Sequence, residues 1–217
     1  MTTHETVRPV TQGQFRDIAA TMIGAIPDLS FEDANQVIGG KGNLVAGIQE
    51  LFARFKSDAK SLLELLTTII LPATTRFIAR DHFKVDISPE APVQIAYLGD
   101  NFKNHFLGKV EENVPEARVR IHRLIRPSLD APIVAALGEK HEAFLAHLHQ
   151  LLLRQPKGEQ GDLLTDGYAN IFYVRDAGNT LWAVGARWCG GGWRVDANSV
   201  GSPREWRDDD QVIACDS

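Results

Sequence analysis

The sequence predicts an α+β fold on three observations. Helical periodicity fills the first third, β-branched and alternating segments between prolines fill the middle, and a tryptophan-rich hairpin pattern lies near the end. In this reading an N-terminal helical layer precedes a central mixed or antiparallel sheet with a helix pair, and a C-terminal antiparallel β-meander closes the chain.

The helices come first. Between Thr11 and Ile26, the residues Phe15, Ile18, Ala19, Met22, Ile23 and Ile26 recur at i, i+3, i+4 and i+7 spacing, and Pro27 ends the run. Ser30 and Asp33 have the spacing of a capping box, opening a short helix to Ile38 that Gly39-Gly40-Lys41-Gly42 breaks. Leu44, Val45, Ile48, Leu51, Phe52 and Phe55 share one face of a third helix, which residues 58–66 extend or restart.

From Thr67 the pattern changes. TTIIL, TTRFIA, HFKVDIS, VQIAYL and ARVRIHRLI are strand candidates, bounded by Pro72, Pro89, Pro92 and Pro115. In the last of these, Val119, Ile121 and Arg123 face one way, while Arg118, Arg120, His122 and Leu124 face the other, giving a half-buried strand with a basic outer face. GDNFKNHFLGKV reads as a short helix, and Asp130–Leu137 with Lys140–Arg154 as a helix pair. The polar QPKGEQGD, with Pro156, Gly158 and Gly161, is the place to divide the chain. It separates a helical plus α/β region, 1–155, from a β-meander module, 162–217, packed on it.

That last module is the most distinctive part of the chain. All four tryptophans lie in the last 36 residues, and every basic residue after Lys157 is arginine. In LWAVGARWCGGGWRVDANSV, a Gly190-Gly191 turn pairs Trp188 with Trp193, Ala186 with Val195 and Val184 with Ala197 on an apolar face. Arg187 then opposes Arg194 on the polar face; a four-residue loop gives the same pairing. YANIFYVRD pairs upstream through a turn near Ala177-Gly178-Asn179, and QVIAC adds a last strand. So small a module either folds against the rest of the protein or curls into an SH3-like barrel.

Composition excludes several classes. With 44% hydrophobic and 24% charged residues the chain belongs with folded soluble proteins, and a net charge of -5 supplies no global field for a phosphate backbone. Nucleic acid is therefore an unlikely partner, and no apolar run reaches the length of a membrane span. MTTHETVRPV lacks the basic and apolar regions of a secretory leader, so the expected location is cytoplasmic, with Cys189 and Cys215 as free thiols.

Catalytic and metal motifs are weak. Gly39–Asn43 lacks the spacing and the hydroxyl of a phosphate loop, and its second helix is too poor in basic groups for DNA readout. His141-Glu142, His147 and His149 point in different directions on a helix and read as solvated histidines. Asp208–Asp210 reads as a solvated acidic turn. No metal and no cofactor is expected. A small hydrolase with His82, His105 or His122 in a cleft of the central region is one alternative, though none of these has a partnered nucleophile.

From about Asp81 onward the chain resembles an uncharacterised family of bacterial proteins, on YLGDNFKNHFLGKVE, LLTDGYANIFYVRD, LWAVGARWCGGGWRVDANSV and PREWRDDDQV. The resemblance implies a fold unit with a Trp-rich hairpin and says nothing about its chemistry. The leading expectation is a non-enzymatic binding protein that takes a protein or an anionic ligand on the meander, through Arg187, Trp188, Trp193, Arg194, Arg204 and Trp206. Weak single-strand nucleic-acid binding through the same arginines and tryptophans is a further alternative.

Overall fold

A computed structural model describes residues 16, 19–21, 30, 32, 35, 37, 39–40, 45–51 and 62–216. The chain divides into two compact units, Met1–Phe52 and Ala53–Ser217. In the first unit residues 16, 19–21, 32, 35, 37, 39 and 45–51 are helical; Lys41–Asn43 and most of the expected first helix lie outside the described residues.

The second unit is built on a mixed seven-stranded sheet in the order β1-β5-β9-β6-β7-β8-β3. Its strands and helices are, in chain order, β1 (Leu63–Leu71), β2 (Thr74–Ile78), α1 (Ala79–His82), β3 (Ile95–Leu98), α2 (Asp100–Phe106), β4 (Val110–Val114) and β5 (Ala117–Leu124). There follow α3 (Asp130–Leu137), a 3-10 turn (Gly138–His141), α4 (Leu145–Arg154), β6 (Asn170–Arg175), β7 (Leu181–Trp188), β8 (Trp193–Ser199) and β9 (Gln211–Asp216). β2 and β4 form a separate antiparallel pair.

β6, β7 and β8 are the expected meander. Within the second unit it does not close into a barrel of its own but continues into the larger sheet: β9 runs parallel to β6 and antiparallel to β5, while β3 runs parallel to β8. The sheet thus passes without a break through segments on both sides of QPKGEQGD. That stretch is itself packed, because Gln155 side-chain atoms bond Leu163 and Glu159 backbone and the Pro156 carbonyl accepts the Gln94 N–H.

Both sheet faces are covered. One carries Val119, Ile121, Phe172, Val184, Trp193 and Ile213 against α2, α4 and the β2–β4 pair. The other carries Leu124, Ile171, Tyr173, Ala183 and Val212 against α3 and Trp206. Each large apolar side chain fully withdrawn from water here contributes about 1.5–3 kcal/mol, so the two layers together hold the sheet.

Two local expectations are corrected, and one strand was not foreseen. Residues 63–66 extend β1 rather than a helix, since a short apolar run carries no period of its own and β5 supplies the ladder. Residues 82–88 are not a strand: only Asp86 bridges Ile95, and the Asp86 carboxylate turns back to accept the Ser88 N–H ahead of Pro89. β4 went unread because VEENV places Glu111 inward. Its carboxylate accepts the Leu145 and Ala146 N–H groups at 2.9 and 3.0 Å and caps α4, with Lys109 Nζ at 2.9 Å.

Candidate functional site

The hairpin at the centre of the sequence reading has the expected register, Trp188 with Trp193 and Arg187 with Arg194. Gly190 and Gly191 both take positive φ, 53° and 144°, and the Cys189 N–H donates to the Gly192 carbonyl at 3.2 Å. Gly192 is needed for another reason: a Cβ there would meet Ala96 at 2.8 Å, where β3 approaches β8.

Trp188 and Trp193 meet edge to face, with centroids 5.7 Å apart. Trp193 is fully buried, its indole N–H donating to the Gln155 carbonyl at 2.9 Å. Trp188 is half-buried and lies over Gly158. This pair belongs to the core of the first face.

The arginines are on the other face, where they splay apart. Arg194 is exposed and lies over the Tyr97 ring at 4.5 Å, while Arg187 lies over Trp206 at 5.6 Å. Trp206 is 5% exposed and is fixed by Asp130, which accepts its indole N–H at 2.7 Å and the Tyr173 hydroxyl at 2.9 Å. Burial pushes the Asp130 carboxyl up, partly offset by those two donors, and burial also pushes the Tyr173 hydroxyl up.

Around Arg187 the charge is positive. Burial holds its guanidinium below the usual arginine range; Asp210 works against that, and Arg204 and Arg207 add to it. Its Nε is buried with no hydrogen-bond partner among the described residues. Asp210 is not part of a solvated turn as expected. It is buried, accepting the Ala169 and Arg207 N–H groups at 2.7 and 2.8 Å, with one Arg207 nitrogen 3.9 Å away. Asp210, the carboxylate whose charge acts on Arg187, is thus already engaged by two amides. Arg207 also lies over Tyr168 at 4.6 Å, and Tyr168 lines a surface cavity of about 280 Å³ with Arg123, Asp209 and Gln211.

The other candidates lie elsewhere. His82 stacks on Phe77 at 4.4 Å and meets His149 with ring centroids 4.6 Å apart; His105 lies tilted against Trp182 at 4.2 Å with Nδ1 3.3 Å from Asp176. His122 is buried on β5, on the face that carries Leu124, so the three do not converge. His147 and His149 are buried in α4, not solvated as expected, because residues 145–149 are all buried and the start of this helix is enclosed on more than one side. Burial, with the neighbouring His82, lowers His149 to about 4. Among the described residues no three His, Cys, Asp or Glu side chains are grouped as metal ligands, and Cys189 and Cys215 are free.

Sequence reasoning found the arginines and Trp206 by their crowding after Lys157. The run Asp208–Asp210 also reads there as a neutraliser of those arginines, and Asp210 is the member that acts on Arg187; Asp130 and Tyr97, which reach the site from other elements and carry no local motif, went unread. No helix among the described residues is long and apolar enough to cross a membrane. Comparison with known proteins brings no match: no family model, no curated protein and no solved structure is similar to this chain.

Proposed function

We propose that this is a binding protein that captures an anionic group at the arginines around Trp206, with Arg187 as the anchor and Arg204 and Arg207 as the exposed flank. The observation that carries the reading is the buried Arg187 Nε, a donor with no partner among the described residues, beside two further guanidinium groups. A buried donor left unpaired costs about 1–3 kcal/mol, which a carboxylate or phosphate oxygen would recover on binding. Trp206 supplies a rigid floor because Asp130 holds its indole N–H and Ser128 pairs with its backbone, three hydrogen bonds in all. The divergence of His82, His105 and His122 favours binding over hydrolysis, since those imidazoles do not share a cleft.

The test is a titration of the full chain with inorganic pyrophosphate and with citrate, followed by tryptophan fluorescence and calorimetry. Saturable binding that weakens about tenfold in Arg187→Gln, the loss of one charge-assisted hydrogen bond, with an unchanged thermal midpoint, is the expected result. Absence of saturation with both anions, or equal affinity in the variant, overturns the reading. Tight oligonucleotide binding with a steep salt dependence would replace it with the nucleic-acid alternative.

A further inference from the structure

The two edges of the seven-stranded sheet differ in character. β3 has four residues, a register shift between Ile95 and Tyr97, and the charged Lys103 and Asp100 of α2 beside it. Short length, irregular pairing and nearby charge keep an edge from recruiting another strand. β1, LELLTTIIL, has nine residues and its one charge, the exposed Glu64, is paired with Arg123 across the ladder on β5. The run Leu65–Leu71 holds no charged residue, proline or glycine. Its register shift falls between Leu65 and Thr67, which leaves 67–71 regularly paired on β5.

The outer edge of that regular stretch has no strand beside it among the described residues. Thr67 and Thr68 are exposed and Ile70 is 60% exposed. Backbone N–H and C=O groups in a row are matched by another strand. Nothing in an uncharged run selects a foreign sequence, but the run suits itself. Antiparallel pairing about a two-fold axis sets threonine, isoleucine and leucine against one another, a favourable cross-strand combination without like charges.

We propose that β1 is a homodimerisation strand, with residues 67–71 pairing antiparallel with the same residues of a second copy and joining the two sheets into one. Such a seam is smaller than the roughly 1,600 Å² of a standard interface, so the dimer dissociates in the micromolar range, on the order of 1–100 μM.

Sedimentation equilibrium of the full chain across that range is expected to show the mass rising toward twice the monomer. Ile70→Lys and Thr68→Lys, both at exposed positions, should stay monomeric with the native circular dichroism, while Tyr97→Lys on the opposite edge should still dimerise. In a Cys189→Ser background, Thr68→Cys and Ile70→Cys, alone and mixed, should form a disulfide-linked dimer on oxidation. Cross-linking uses an otherwise native edge, so it decides the question if a lysine variant unfolds. A wild type that stays monomeric throughout, a dimer that ignores both lysines, or failure of every cysteine combination to cross-link overturns the proposal.

Discussion

Arg187 and Arg194 stand directly opposite each other on β7 and β8, yet each guanidinium leaves the other for an aromatic face, Arg187 for Trp206 and Arg194 for Tyr97. Like charges across a non-local pair destabilise a sheet, and the two rings convert that repulsion into attraction of about 0.5–2 kcal/mol each. Arg187→Met should change unfolding free energy by less than about 1 kcal/mol, because relief from burying a cation offsets the lost ring contact. Tyr97→Ala should cost more than Arg194→Gln, since it removes the ring on which both Arg194 and Lys103 lie. Urea denaturation of the three variants checks the order.

Asp130 should be the most sensitive polar position on the second face. Asp130→Ala leaves the Trp206 and Tyr173 donors unpaired in the core, a loss of about 2–5 kcal/mol. Asp130→Asn keeps an acceptor oxygen and should recover at least half of it. Equal loss in both variants would show that charge, not acceptance, is what matters.

Gly158 carries two constraints at once. Its φ is +71°, and a Cβ would fall 2.2 Å from the Trp188 ring. Gly158→Ala should therefore destabilise by about 2–4 kcal/mol. It should also red-shift the Trp188 contribution to fluorescence, measured as the difference from a Gly158→Ala, Trp188→Phe double variant. Unchanged emission would mean that the indole does not rest on this turn.

His149 should make the protein acid-labile. Its folded value is lowered to about 4 from 6.5, so both states are neutral above about pH 6.5. Below that pH the unfolded chain takes up a proton that the folded chain refuses, and stability falls until the pH reaches about 4. A difference of about 2.5 units corresponds to about 3 kcal/mol across this window. His149→Phe should flatten that part of the stability curve relative to wild type; a parallel curve would assign the acid loss to other groups.

The sequence by itself determined what depends on neighbours a few residues away. Alternating apolar residues and paired glycines set the Trp188–Trp193 hairpin, its register and the separation of tryptophans from arginines, because strand geometry has a period of two whatever lies around it. The crowding of Arg187, Arg204 and Trp206 into a short stretch marked the same face. Only the tertiary structure decided what each of these residues meets. Asp130 is 76 residues from Trp206 in the chain and Glu111 is 34 from the α4 amides it caps, and no local pattern announces such partners. Burial reversed the sequence reading for the same reason: His147, His149 and Asp210 look solvated in isolation. They are enclosed because packing against distant elements supplies the hydrogen bonds or neutral surroundings that a buried polar group requires.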